Sequence, residues 1–206
     1  MDALANPQPP LPRDSGRRDH VVVLRGIPWA EYDALCRARA DTAGPRMAYL
    51  DGTLEIMSPS RFHEFDKKLL ARLIEAYGEE DDISLNGFGS ETYRRKAKEA
   101  GVEPDECYCV GDAKPFPDFA IEVVRTSGGV DKLEIYRRLG VPEVWFWIRG
   151  EFHVFGLVGR RYVARAKSEV LPRIDLARVA AIVRGADPSK QTEAVKAYRA
   201  SLRRRR

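Results

Sequence analysis

The sequence predicts one α/β domain built on a mixed sheet, and three observations carry that prediction. Along the chain the apolar spacing alternates between two and three or four, so strand-like and helix-like segments follow one another. An Asp51-Gly52 pair separates the runs MAYL and TLEIM, which marks a tight hairpin. Gly140 ends a helical pattern just before the strand-like run PEVWFWI.

Residues 1–19 are rich in Pro, Arg and Asp and lack periodicity, so they are expected to be a disordered lead without function. The domain is placed at 20–170. In PWAEYDALCRAR, Trp29, Tyr32, Leu35 and Cys36 recur at helical spacing and predict a short amphipathic helix. Asp51-Gly52 supplies the positive φ angles of a type I′ turn, which sets Tyr49 against Leu54 and Met47 against Ile56 and turns Glu55 to the other face. Ser58-Pro59 reads as the start of the next helix, whose stripe is Phe62, Phe65, Leu69, Leu73 and Tyr77. Strands are expected near 83–88, 105–110 and 117–125, followed by a helix over 129–139 and the strand PEVWFWI. Arg149-Gly150 turns the chain into EFHVFGL, and a short strand follows near Tyr162. PRIDLARVAAIV and EAVKAYRASL predict a helical extension at 171–206 that ends in a basic tail.

With 206 residues, 44% of them hydrophobic, the chain can bury one substantial core. It has no run of roughly 18 to 20 apolar residues and no secretory leader, so a cytoplasmic protein is expected. Cys36, Cys107 and Cys109 have neither the number nor the spacing of a disulfide framework or zinc site and are read as reduced core residues. The formal charge is +4, but Arg199 and Arg203 to Arg206 supply more than that excess, so the body is not basic. Such a tail adds salt-dependent phosphate affinity or is merely solvated.

The chemically informative stretches are EPDECYCV at 103–110 and FPDFAIEVVRTSGGVDKLEIY at 116–136. Strand alternation puts Asp118, Ala120 and Glu122 on one face and Phe119, Ile121 and Val123 on the other. If the two strands pair, Asp105 approaches Glu122, and their oxygens suit a hard divalent ion, Mg²⁺ or Mn²⁺. Such an ion serves phosphodiester hydrolysis, and Lys132 is the candidate lysine for the water or the phosphate.

LEIMSPS, the His63-Glu64 pair, EPDECY, PDFAIEVV, DKLEIY and LGVPEVW occur in the order expected of the Uma-two family, which the chain resembles over roughly residues 20–165. The resemblance implies a restriction-endonuclease-like core of the PD-(D/E)XK type, a sheet flanked by helices, and a metal-dependent nuclease site acting on DNA. It matches Asp105 to the first acid and Glu122 to the second, places Asp118 in the second Pro-Asp, and sets Glu55 and His63 near the site. A simple (D/E)XK spacing would put lysine at 124, where Val124 stands; the resemblance moves the basic residue to Lys132 on the following helix.

Each of these residues also has an ordinary reading. Pro-Asp is common turn chemistry, and Asp118 can cap its strand. Glu55 can be solvated, His63 can cap its helix or pair with Lys67, and Lys132 can be a solvated helix residue. Tyr136, Trp145, Phe146 and Trp147 fit a buried strand better than base stacking. The expectation is a Mg²⁺- or Mn²⁺-dependent DNA endonuclease with Asp105, Glu122 and Asp118 on the metal. One rival keeps the fold and binds nucleic acid without cutting. The other is a structural module that pairs as a homodimer through an edge strand or the C-terminal helices.

Overall fold

The computed structural model describes residues 18–39, 42, 44–126 and 129–204. Residues 1–17 of the expected lead, and Arg205 and Arg206 of the tail, lie outside the described residues. In chain order the elements are β1 (His20–Arg25), α1 (Trp29–Arg39), β2 (Arg46–Leu50), β3 (Thr53–Ser58), α2 (Arg61–Glu80), β4 (Leu85–Gly87) and β5 (Tyr93–Arg95). A 3-10 turn at Lys96–Lys98 leads to β6 (Ala100–Val102), β7 (Glu106–Val110), β8 (Phe119–Val124), α3 (Lys132–Leu139) and β9 (Glu143–Ile148). Then follow β10 (Glu151–Val158), β11 (Arg161–Arg165), α4 (Leu176–Gly185) and α5 (Gln191–Arg203).

Among the described residues the strands form two sheets, ordered β1-β3-β2-β6-β5 and β11-β10-β9-β8-β7-β4. The expected hairpin is therefore the centre of a sheet of its own. Asp51 and Gly52 hold φ of 44° and 79°, and Tyr49 pairs with Leu54 and Met47 with Ile56 as the turn dictates. In the second sheet β8 and β9 are parallel, and α3 makes the crossover that a parallel pair requires.

β8 is buried on both faces and divides the core. Phe119, Ile121 and Val123 pack with Leu69, Leu70, Leu73 and Ile74 of α2, and Val179, Val195 and Tyr198 of α4 and α5 enclose the same cluster. Ala120 faces the other way, toward Ile135, Tyr136 and Leu139 of α3 and Ala48 and Val102 of the first sheet. Period-two alternation thus sends one face of β8 to α2 and the other to α3. Cys107 and Tyr108 split between the two clusters in the same manner, and all three cysteines are buried and free.

Some expectations are corrected. The N-cap of α2 is Ser60, not Ser58: Ser58 ends β3, while the Ser60 hydroxyl accepts the His63 N–H. Of the expected face of α1, Tyr32 and Cys36 are buried, but Leu35 is 42% exposed. Phe62 and Phe65 are only half-buried because the described chain leaves a cavity beside them. β1, β5 and β6 had no reading as strands. No described helix is long and apolar enough to cross a membrane.

Candidate active site

β7 and β8 pair antiparallel with Glu106 opposite Ile121 and Cys107 opposite Ala120, so the next step of the register puts Asp105 at Glu122. Both carboxylates are buried, at 1% and 0% exposure. Asp105 Oδ2 accepts the Val123 N–H at 2.7 Å, which ties it to the strand that carries Glu122. Asp105 Oδ1 accepts from His63 Nε2 at 2.9 Å and forms an ion pair with Arg46 Nε at 2.9 Å. Arg46 also donates to the Pro104 carbonyl at 3.1 Å and to Glu64 at 3.2 Å.

Glu122 receives its own two donors from one helix. Lys132 Nζ lies 2.6 Å from Oε2, and the Tyr136 hydroxyl donates to Oε1. Lysine and tyrosine four apart fall on one face of α3, the face that covers β8. Asp131 caps this helix by accepting the Glu134 N–H at 3.1 Å, which places Lys132 at its first position. The Lys132 amine therefore reaches the acid that a lysine at 124 would have served.

His63 sits between two acids, for its Nδ1 donates to Asp19 Oδ2 at 2.9 Å while Nε2 faces Asp105. Asp19 also accepts the Ser60 N–H at 2.8 Å, so one carboxylate steadies both the start of α2 and its histidine. Burial alone pushes the His63 pKa down, but hydrogen bonds to Asp105 and Asp19 outweigh it and raise it to about 9. The ring is an imidazolium at neutral pH, with both nitrogens donating.

The charges fix one another's protonation. Burial raises the Asp105 pKa, but the His63 hydrogen bond and the cations His63, Arg46 and Lys132 prevail and hold it at about 2. Glu122 stays above the usual carboxylate range, first through burial and then through the Asp105 charge, against the pull of Lys132. Burial works against the Lys132 ammonium, yet Glu122 and Asp105 hold its pKa above the ordinary value.

Glu55, buried on β3, accepts the Gly129 and Val130 N–H groups at 2.6 and 3.3 Å and so anchors the approach to α3. Glu55 and Lys132 line a cavity of about 340 Å³ together with Val123 and Val124; Asp105 and Glu122 do not line it, and Glu122 is linked to it through Lys132. Asp118 stands apart. At the opposite end of β8 it accepts the Val110 N–H at 2.7 Å and pairs with Lys114, closing the strand rather than joining the other acids. His63 does not pair with Lys67, which binds Glu64 instead.

Sequence reasoning missed Arg46, Asp19 and the hydroxyl role of Tyr136. Arg46 was findable: Ala48 lies opposite Glu55, and alternation puts Arg46 on that same face. Asp19, assigned to the lead, carried no local signal, because its partners are 41 and 44 residues away. Among the described residues no group of three or more His, Cys, Asp or Glu is arranged to hold a metal ion.

A family model, Uma2, described as putative restriction endonuclease, matches residues 29–183. No curated protein matches the chain.

Proposed function

The chain belongs to the Uma2 family, and from that premise we propose that it is a metal-dependent DNA endonuclease whose centre is Asp105, Glu122 and Lys132. The observation that carries this reading is the Lys132 ammonium seated on Glu122 beside Asp105. Two buried carboxylates on paired strands and one lysine are the minimal acidic and basic parts of such a site.

The donor set fits a hard divalent ion. Asp105 and Glu122 are the carboxylate ligands such an ion prefers, and an ion held by them would take the place of donors that engage them here, Lys132 on Glu122 among them. Mg²⁺ commonly uses one or two carboxylates, with waters and substrate phosphate as its remaining ligands. When bound by Asp105 and Glu122, Mg²⁺ or Mn²⁺ supplies a water of lowered pKa and offsets charge on the phosphate oxygens.

The remaining work falls to the chain itself. Lys132, at the cavity wall, orients the water or holds a phosphate oxygen. His63 and Arg46 keep Asp105 ionised and fix its carboxylate plane, and the Tyr136 hydroxyl helps fix that of Glu122. Glu55 holds residues 129 and 130, and through them the start of α3. Asp118, expected among the metal ligands, belongs to the far end of β8 in this reading.

A second reading, a protein that binds nucleic acid without cutting it, draws on the engagement of every oxygen of Asp105 and Glu122 by a protein donor. One experiment separates the two. Supercoiled plasmid and a short single-stranded DNA are incubated with Mg²⁺ or Mn²⁺ and either the protein or Glu122→Gln. Cutting that EDTA and Glu122→Gln both abolish supports the nuclease; no cutting by folded protein on either substrate leaves the binding reading.

A further inference from the structure

Beside the cavity of Lys132 lies a second one of about 440 Å³, and Val124 lines both. The second cavity opens at the C-terminal ends of the parallel pair β8 and β9, the end of an α/β sheet where ligands gather. The half-buried Phe62 and Phe65 supply its aromatic surface over the buried Trp147, and Arg125, Arg149 and Arg184 its charge.

The three arginines are not equivalent. Arg125 is paired with Asp66 at 2.5 Å, and Asp66 also takes the Trp147 Nε1–H at 3.0 Å. Arg149 and Arg184 are exposed and have no carboxylate within ion-pair distance among the described residues. Arg184 donates one N–H to the Gly150 carbonyl at 2.7 Å, and a Cβ at Gly150 would meet its side chain at 2.9 Å. Gly150 is thus the residue that lets Arg184 lie over the turn.

Arg149 is expensive where it stands. The turn from β9 to β10 holds Arg149 at φ 51° and Gly150 at φ 85°, and its first position favours Asn, Asp or Gly. A long cation kept in left-handed backbone at the mouth of a cavity is strain of the kind found at binding sites.

Past Phe65 and Pro188, both shared, the surface runs into a further cavity of about 390 Å³ lined by Arg61, Lys67 and Lys68. The two together present six cations against the carboxylates of Asp66 and Glu64. The body of the chain has little net charge, so this concentration is local.

We propose that the aromatic and arginine cavity binds one unpaired nucleotide of the DNA strand next to the bond being cut. The base lies against Phe62 and Phe65, and the flanking phosphate meets Arg149 and Arg184. Every base has a face to stack, while duplex DNA keeps its bases inside, so the aromatic lining selects an unpaired one. Phosphates bind arginine through paired N–H donors, and the basic cavity beyond Phe65 accepts the next phosphates of the strand. This inference rests on the reading of the chain as a DNA-cutting protein.

The test measures binding apart from cutting. A fluorescein-labelled single-stranded 12-mer and a blunt-ended 12-base-pair duplex are titrated by anisotropy in EDTA, across a salt series. The proteins are the parent chain, Arg149→Asn/Arg184→Gln and Phe62→Leu; Asn suits φ 51° better than Arg, so the turn survives. The arginine variant is expected to bind the single strand roughly tenfold more weakly, with the slope of log K against log salt reduced by about 0.7 per arginine. Phe62→Leu is expected to lose its preference for the single strand while keeping the slope. Unchanged affinity and slope in the folded arginine variant, tighter binding of the duplex by the parent chain, or no binding of either DNA would each overturn the pocket. Arginine-dependent binding without cleavage under any metal supports the pocket and removes the nuclease reading. Cleavage with parental binding by the arginine variant does the reverse.

Discussion

His63 is the residue on which several parts of the molecule depend. An unfolded histidine titrates near 6.5, and this one is raised to about 9. Because the folded pKa is the higher, the imidazolium's contribution is fully present below about pH 6.5 and is lost as the pH rises through 9. Linkage makes that loss about 3 kcal/mol. Asp105 works from the other side: its folded pKa of about 2 means stability that is present above the ordinary carboxylate pKa and disappears as the pH falls through 2. Urea unfolding at pH 6 and pH 10 is expected to show a drop in the parent chain that His63→Gln lacks. His63→Ala leaves Asp19 and Asp105 buried without their shared cation, and is expected to cost about 3–5 kcal/mol at neutral pH by the same measurement. That histidine was legible in the sequence as a residue near the site, but not as the bridge between two acids, because one acid is 44 positions earlier and the other 42 later.

Secondary elements bring these groups together by simple periodicities, and that is why the approach of Asp105 to Glu122 could be expected from the sequence. The i, i+2 face of β8 is local, so the face of Glu122 followed from spacing; Lys132 was pointed to by the resemblance, and Tyr136, on the same i, i+4 face of α3, was read only as a buried aromatic. β5 and β6 were invisible for the opposite reason: three residues give no period, and the pairing of β6 with β2, to which β5 adds through β6, is a property of distant sequence. Two expectations follow at this scale. Ser60→Ala removes the cap of α2 and should lower stability by about 1 kcal/mol in chemical denaturation. Val124 shares the Glu122 face of β8 and lines the Lys132 cavity, so Lys132→Ala should abolish cleavage and Val124→Lys in that background should restore part of it, read as initial cutting rates.

The two sheets meet through the same cluster. Glu55 on the first sheet holds residues 129 and 130, Arg46 on the first sheet reaches Asp105 ahead of β7, and Ala48 and Val102 share a core with Ala120 and Val144. The fold was legible as α/β, whereas its division into two sheets was not, since strand order is written in contacts rather than in neighbours. A molecule joined in this way is expected to unfold once, with tryptophan fluorescence and far-UV circular dichroism giving one urea midpoint. At this scale the basic C-terminus contributes less than its composition promises, because Arg199 and Arg203 are spent on Glu79 and Glu80. The bridge from Asp19 to Asp105 has a last consequence, for the order of synthesis. The ribosome releases Asp19 first and Tyr136 long after, and until α3 docks, the Glu122 carboxylate lacks both of its donors. If the proposed nuclease reading holds, a chain interrupted before residue 132 lacks both donors of Glu122 and is expected to leave supercoiled plasmid intact.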